Sequence, residues 1–373
     1  MSENEPRHAN VIILGAGFSA CAGLPIQREF SELLLSPEFG TELDSAITEA
    51  LKTFLREVFA WTDGMPLPEL EDIFTCIDLA AGDGHHLGIQ FGPKRLRAIR
   101  RMAIYRIFSI LDNHFTYSND IETLIRAYLA GSSGRSAFVV LNWDIVLEKH
   151  LIEMLPRPSI TYCCRSYDWH SDERNNDPDA KVDAIPICKM HGSSNWVYCD
   201  NCHSLFYDLY EKLPLKVRAD LVKSDFRLFD ERFTDKVFDD GLGITPEERE
   251  CRFCKNMVSS HIATFSYRKS FRTHAYAGIW NRAAEILADA DRWIFIGYSL
   301  PKADFELKHL LKTAQLRFAH TRKRKRPLEM HIVTKTKEAF PSYERLFGKR
   351  YSTFCDGGLQ EYISSGLFEP LSS

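Results

Sequence analysis

The stretch Val11 to Pro25, VIILGAGFSACAGLP, decides the fold. Four apolar, strand-forming residues, Val11 to Leu14, run into Gly15-Ala16-Gly17, and the small and polar residues through Ser19 to Cys21 start a helix. This predicts a strand, a tight turn and a helix N-terminus. Glycine lets main chain approach a ligand closely, and the unpaired N–H groups of a first helical turn suit a phosphate. Gly15, Ala16, Gly17, Phe18 and Ser19 are therefore candidates for holding a nucleotide. A Gly-x-Gly after a strand also serves as a plain tight turn. A dinucleotide-binding dehydrogenase would add a third glycine three residues on and an acidic residue about 20 residues later. Here position 20 is alanine, Pro25 stops the helix, and more helical sequence follows. An ordinary Rossmann dehydrogenase is disfavoured.

Working outward, residues 27–130 read as a helical insertion without a strand-like run. Leu96, Ile99, Ala103, Ile107, Ile110 and Leu111 recur at helical spacing, with Arg97 and Arg101 on the other side. The pair His85-His86 sits among loop-forming glycines and reads as a solvated loop. Gly131 to Gly134 marks a turn into the strand Phe138 to Leu141, which stops at Asn142-Trp143-Asp144. Three more apolar runs follow: Ala184 to Met190, ending at His191-Gly192; Trp293 to Ile296, ending at Gly297-Tyr298-Ser299; and Met330 to Val333, ending at Thr334. The fold class expected is α/β, a Rossmann-like parallel sheet flanked by helices. In such a sheet ligands bind outside the carboxyl ends of the strands, so these terminal residues should line one crevice with the Gly15 loop.

The bulk composition, 45% hydrophobic and 26% charged with a formal net charge of −4 over 373 residues, excludes a global charge excess for nucleic acid or an anionic membrane. No apolar run approaches the roughly 18 residues of a membrane helix, and MSENEPRHAN is not a signal peptide, so a cytoplasmic protein is expected. In that setting some of the 10 cysteines are expected to be metal ligands and not disulfides. Cys199-x-x-Cys202 and Cys251-x-x-Cys254 are separated by 48 residues. Two such pairs complete a tetrahedral thiolate site of the structural zinc type, within a module over 195–260. Four protein ligands leave no open position for chemistry. Adjacent Cys163-Cys164 read as packing residues. The basic run Arg322 to Arg326 is either a solvated connection or a contact for nucleic acid or an acidic partner.

Four separated motifs resemble, in order, those of the sirtuin-like family. They are GAGFS followed by Gly23-Leu24-Pro25; Asn142-Trp143-Asp144; His191-Gly192-Ser193 before the paired cysteines; and Gly297-Tyr298-Ser299-Leu300-Pro301 followed by Asp304. The match runs from Val11 to about Leu311. The turn at Gly297 and the string Lys189 to Trp196 resemble the branch of bacterial sirtuin-like NAD hydrolases used in antiphage defence. Two departures from the deacetylases agree: Pro25 is followed by Ile26-Gln27-Arg28, not the deacetylase Pro-Asp-Phe-Arg continuation, and His261 to Arg268 lacks their Phe-Gly-Glu segment.

The resemblance implies a whole-chain NAD-binding catalytic domain that cleaves NAD, as substrate, to nicotinamide and ADP-ribose. His191 would act on a ribose hydroxyl or activate water, Asn142 would position ribose and water, and Asp144 would contact the nicotinamide carboxamide. The Gly15 to Ser19 loop would hold the pyrophosphate, Ser299 would meet the adenosine side, and Gly297 and Thr334 complete the cofactor-binding set. Because uncontrolled NAD depletion is toxic, the resemblance also implies control through homo-oligomerisation or a partner ATPase or sensor protein. An NAD-dependent deacylase or ADP-ribosyltransferase, and a nucleotide-binding module without turnover, are the other readings.

Overall fold

Val11, Ile12, Ile13 and Leu14 are wholly buried, as a parallel strand covered on both faces requires. Fully burying each such side chain contributes roughly 1.5–3 kcal/mol relative to leaving it exposed. They belong to β1 (His8–Leu14), the middle strand of a seven-stranded sheet in a computed structural model. The structure describes residues 8–36, 41–130, 135–155, 158–171, 184–229, 249–262, 274–302, 304–321, 327–349 and 352–368. The other strands of this sheet are β2 (Arg135–Val140), β3 (Ile160–Thr161), β5 (Ile185–Lys189), β9 (Arg292–Ile296), β10 (Glu329–Val333) and β11 (Ser352–Cys355). Their order is β11-β10-β9-β1-β2-β5-β3, and every pairing is parallel. From β1 the chain builds outward through β2, returns to the opposite flank at β9, and builds outward again. The reversal at β1 and β9 makes a topological switch point, where open α/β sheets bind ligands.

The expected α/β architecture is therefore present. Five of the strands coincide with the apolar runs read from the sequence, and the two outer strands, β3 and β11, were not anticipated. Gly131 to Gly134 and the basic run Arg322 to Arg326 lie outside the described residues. Among the described residues no helix is long and apolar enough to cross a membrane.

Residues 27–130 form the helices Gln27–Leu34, Glu42–Phe59, Leu70–Asp83, Pro93–His114 and Asn119–Ala130. The Thr41 hydroxyl accepts from Asp44 N–H at 3.0 Å and caps the second of them. On Pro93–His114, Leu96, Ile99, Ala103, Ile107, Ile110 and Leu111 are buried and Arg97 is exposed. Arg101, on the side away from the apolar stripe, makes two bonds from its guanidinium to the Asp225 carboxylate. Cys164 is buried in the main core and Cys163 packs against it, in keeping with their reading as packing residues.

A second sheet, not anticipated from the sequence, runs β4 (Ser166–Asp168), β7 (Leu205–Tyr207), β6 (Gly192–Tyr198), β8 (Ser259–Ile262). Its core is an aromatic cluster of Tyr167, Phe206 and Phe253, with ring centroids 4.7–5.9 Å apart. β6 starts directly after His191, so this sheet is continuous with the carboxyl edge of β5.

Candidate functional site

The loops after β1 and β9 are locked back to back. Gly15 N–H donates to Ile296 O at 2.9 Å, Gly17 N–H to Gly297 O at 2.8 Å, and Gly297 N–H to Val333 O at 2.8 Å. Gly297 has φ +64°, and a Cβ there would stand 2.2 Å from Phe18 N; one on Gly17 would stand 2.7 Å from Gly297 Cα. Both glycines are thus required by the approach of one main chain to another. The Gly15 loop, expected to let main chain approach a ligand, also meets this second demand. Within the loop Ala16 is exposed, whereas Phe18 and Ser19 are buried, with the Phe18 ring in the main core.

Loop β1 also meets the end of β2. Asn142 Nδ2–H donates to Ser19 Oγ at 2.8 Å, and Ser19 Oγ–H donates to Asp144 Oδ2 at 2.7 Å. The relay fixes which way the Asn142 amide faces. Asp144 Oδ1 accepts from Val146 N–H at 3.1 Å, tying the carboxylate to the start of helix Val146–Met154. Both Asp144 oxygens are engaged, so it serves as a brace for the loop.

His191, which follows β5 by two residues, leans toward β2. It is 9% exposed, and its Nδ1 lies 2.9 Å from Leu141 O. A carbonyl oxygen can only accept, so Nδ1 carries the proton and the neutral ring is basic at Nε2. Nε2 stands 3.8 Å from Asp304 Oδ1. Asp304 Oδ2 accepts from the Tyr298 hydroxyl at 2.8 Å. Burial, and then the neighbouring Asp304 charge, push the Tyr298 phenol well above its ordinary range, which keeps it a donor.

Beneath these loops runs a buried polar chain. Lys189 donates to the Asp144 carbonyl and pairs with Glu148 Oε1 at 3.4 Å; Lys189 is 0% and Glu148 1% exposed. Burial raises the Glu148 carboxyl, with Lys189 opposing. Tyr162 OH donates to Glu148 Oε1 at 3.2 Å, and Asn195 Nδ2 donates to Tyr162 OH at 3.3 Å and to Asp208 O at 3.1 Å. The loop after β2 is thereby joined to the second sheet.

The structure thus brings together the Gly15 to Ser19 loop, Asn142, Asp144, His191 and Gly297. Ser299 is exposed on the same edge, beside Gly297. Thr334 lies farther off, at the end of β10, with its hydroxyl on Thr336 O at 2.7 Å. From β5 to β10 there are four inter-strand steps of about 4.8 Å each, roughly 19 Å. Only an extended ligand would touch both ends of the set. Sequence reasoning gave no role to Lys189, Glu148, Tyr298 or Asp304. The aspartate was visible in its motif, but its approach to His191 spans 113 residues of chain, which no local signal reveals.

Cys199, Cys202, Cys251 and Cys254 have their sulfurs within 4.8 Å of one another. Four thiolates at about 2.3 Å from one zinc ion stand about 3.8 Å apart, so the set fits a tetrahedral ion. The two loops repeat one shape. His203 N–H bonds to Cys199 O and Lys255 N–H to Cys251 O, both at 2.9 Å. Cys199 N–H reaches Ser204 O, Cys251 N–H reaches Asn256 O, and His203 and Lys255 take the left-handed φ values of 58° and 62°. Such paired knuckles present two sulfurs each to a common point. These residues could hold zinc as a structural ion.

No protein-family model matches the chain, and no curated protein sequence matches it. Among solved structures, one concerned with the mechanism and regulation of Sir2 enzymes is 16% identical, covering 96% of this chain and 91% of that chain at a TM-score of 0.41. A Sir2 structure with p53 peptide and NAD+ is 13% identical over 96% and 91%, at 0.41. A structure addressing sirtuin substrate affinity is 12% identical over 98% and 97%, at 0.42. With TM-scores below 0.5, none of these likenesses bears on what the chain does.

Proposed function

We propose that this chain binds NAD across the carboxyl edge of the β10-β9-β1-β2-β5 strands and hydrolyses the bond between nicotinamide and ribose. The observation that carries the reading is the meeting of Ser19, Asn142, Asp144 and His191, drawn from three chain-distant motifs, at one edge of a parallel sheet. As the bond breaks, its electron pair leaves with nicotinamide and positive charge builds on the ribose. Water adds to that carbon, giving ADP-ribose and one proton. Asn142, its amide fixed by Ser19, orients water and ribose, and His191 Nε2 takes the proton. The Gly15 to Ser19 loop meets the pyrophosphate, with Gly297, Ser299 and Thr334 along the adenosine side. The four cysteines hold zinc and with it the second sheet. By the motif resemblance, the activity is that of a regulated NAD-depleting effector in antiphage defence, controlled by self-assembly or a partner ATPase or sensor.

The test is nicotinamide and ADP-ribose release from NAD by purified chain over a range of protein concentrations, beside Asn142→Ala. Release that disappears in the variant supports the proposal. Nicotinamide released only with an acyl-lysine peptide or another acceptor would replace it with a transferase. NAD bound but left intact at every concentration, with or without a co-expressed partner, would reduce the chain to a binding module.

A further inference from the structure

The pairing of His191 with a carboxylate from the far side of the sheet has no counterpart in the motifs taken one at a time. We propose that Asp304 is a positioning residue for His191, held by Tyr298 so that its charge stabilises the imidazolium formed when Nε2 takes a proton. This rests on the reading of His191 as the proton acceptor in NAD cleavage.

Three observations carry it. First, the Leu141 carbonyl commits Nδ1 as a donor, so a proton arriving at the ring must go to Nε2, the nitrogen that stands 3.8 Å from Asp304 Oδ1. That separation is too long for a direct hydrogen bond and short enough for a strong charge interaction where water is scarce. Second, both side chains are only 11% exposed, so solvent screens the pair weakly. Third, Asp304 is held from behind. Tyr298 OH donates to Oδ2 at 2.8 Å, the Tyr298 carbonyl accepts from buried Tyr343 OH at 2.8 Å, and Lys308 N–H binds the Asp304 carbonyl at 3.1 Å at the start of helix Phe305–Thr321. Oδ1 is the oxygen turned toward the imidazole.

Among the described residues, the charged groups around this corner include Asp144 and Glu148 on the β2 side, Lys189 on β5, Arg282 on helix His274–Asp289, whose charge reaches Cys188 of β5, and Lys308 on helix Phe305–Thr321, whose charge acts on Asp304 with Lys302 close by. Lys189 is bound to Glu148 and to the Asp144 carbonyl, and the Asp144 carboxylate is bound to Ser19 and Val146. Arg282 is paired with Glu285 at 3.2 Å. Asp304 Oδ1 stands 3.8 Å from Nε2.

Aspartate at this distance favours the charged ring, so its removal makes His191 protonate at lower pH. The experiment is an NMR titration of the histidine ring Cε1–H signals in the full chain, with the His191 signal identified by its loss in His191→Asn. In Asp304→Asn the His191 midpoint should fall by about 1–2 pH units. Asp304→Ser, which keeps a helix-capping side chain, should give the same shift. An unchanged midpoint in either folded variant overturns the pairing. The acid limb of the pH profile for nicotinamide release should move down with the titration, because the unprotonated base then persists to lower pH. Should the wild-type chain release no nicotinamide at any concentration, with or without a co-expressed partner, the proposed function fails while the titration still decides the pairing.

Discussion

Two histidines of one sheet, His331 within a strand and His191 just past the end of another, stand in different settings. His331, within β10, is 1% exposed and has both ring nitrogens committed: Nδ1 to Tyr362 OH and Nε2 to Glu329 Oε1, each at 2.7 Å. Tyr362 OH also donates to Leu367 O at 3.3 Å, and Arg292 holds Glu329 at 2.9 Å, so the cluster fastens the C-terminal helix Gly358–Ser364 to the sheet. His191, just beyond β5, has one nitrogen fixed by a carbonyl and turns the other toward a carboxylate outside bonding distance. His331 thus fastens one flank of the sheet, while His191 stands beside a carboxylate at its carboxyl edge. The residue type is the same; the difference lies in the groups each ring faces, a tyrosine and a glutamate for His331, a main-chain carbonyl and an aspartate for His191.

The largest effect should come from breaking the support under His191. Cys199→Ser, or removal of metal by a chelator, should cost several kcal/mol of stability. Hydrogen exchange should then show the second sheet and the Asn142 to Asp144 loop opening while β10 and the Gly358–Ser364 helix stay protected. Equal loosening at both places would erase the distinction, and well-folded protein without zinc by elemental analysis would end the four-thiolate reading. Next, exchanging the two histidines for alanine should give opposite phenotypes. His191→Ala should lower nicotinamide release by about 100-fold or more with little change in Tm. His331→Ala should preserve release per folded molecule and lose about 1–3 kcal/mol of stability, because Tyr362 and Glu329 keep buried polar atoms without their partner. Similar losses of release in both would mean that neither is the base.

The smallest effect concerns pH. The hydrogen bond from His331 holds the Glu329 carboxyl down at about 2, with the Arg292 charge assisting and burial opposing. A carboxyl lowered in the folded state stabilises above its unfolded pKa near 4.3 and loses that contribution as pH falls toward 2. Glu329→Gln should therefore lower Tm modestly at pH 6, and the gap from wild type should close as the solution is taken toward pH 2. A gap that persists at low pH would assign the effect to packing.

Much of the sheet was legible because its five inner strands are buried on both faces and read as continuous apolar runs bounded by small residues. β3 and β11 were not. Ile160–Thr161 is a two-residue edge, and Ser352–Cys355 is mostly half-buried, so neither carries the apolar signature of an inner strand. β6 was hidden differently. Its seven residues, GSSNWVY, are all buried, yet it opens with Gly192-Ser193-Ser194-Asn195, whose burial depends on bonds such as Ser194 N–H to Trp143 O and Asn195 Nδ2 to Asp208 O. Polar residues satisfied by distant partners look like loop in a linear reading. The candidate site divides along the same line. Asn142, Asp144 and His191 announce themselves as polar stops after apolar strands, whereas the Lys189–Glu148 pair and the approach of Asp304 exist only once β5, β2 and β9 are aligned.

The glycine contact between the β1 and β9 loops has a consequence for how such a crevice can diversify. Where Gly17 and Gly297 meet, the floor is main chain against main chain, with no room for even a methyl group. Point substitutions have no gradual path there: an added side chain separates the loops before it can present new chemistry. Substitution is accordingly easier at the rim, where Ala16 and Ser299 are exposed and side chains can be exchanged without parting the strands. The floor can change only by moving two main chains together, and the rim can change one side chain at a time.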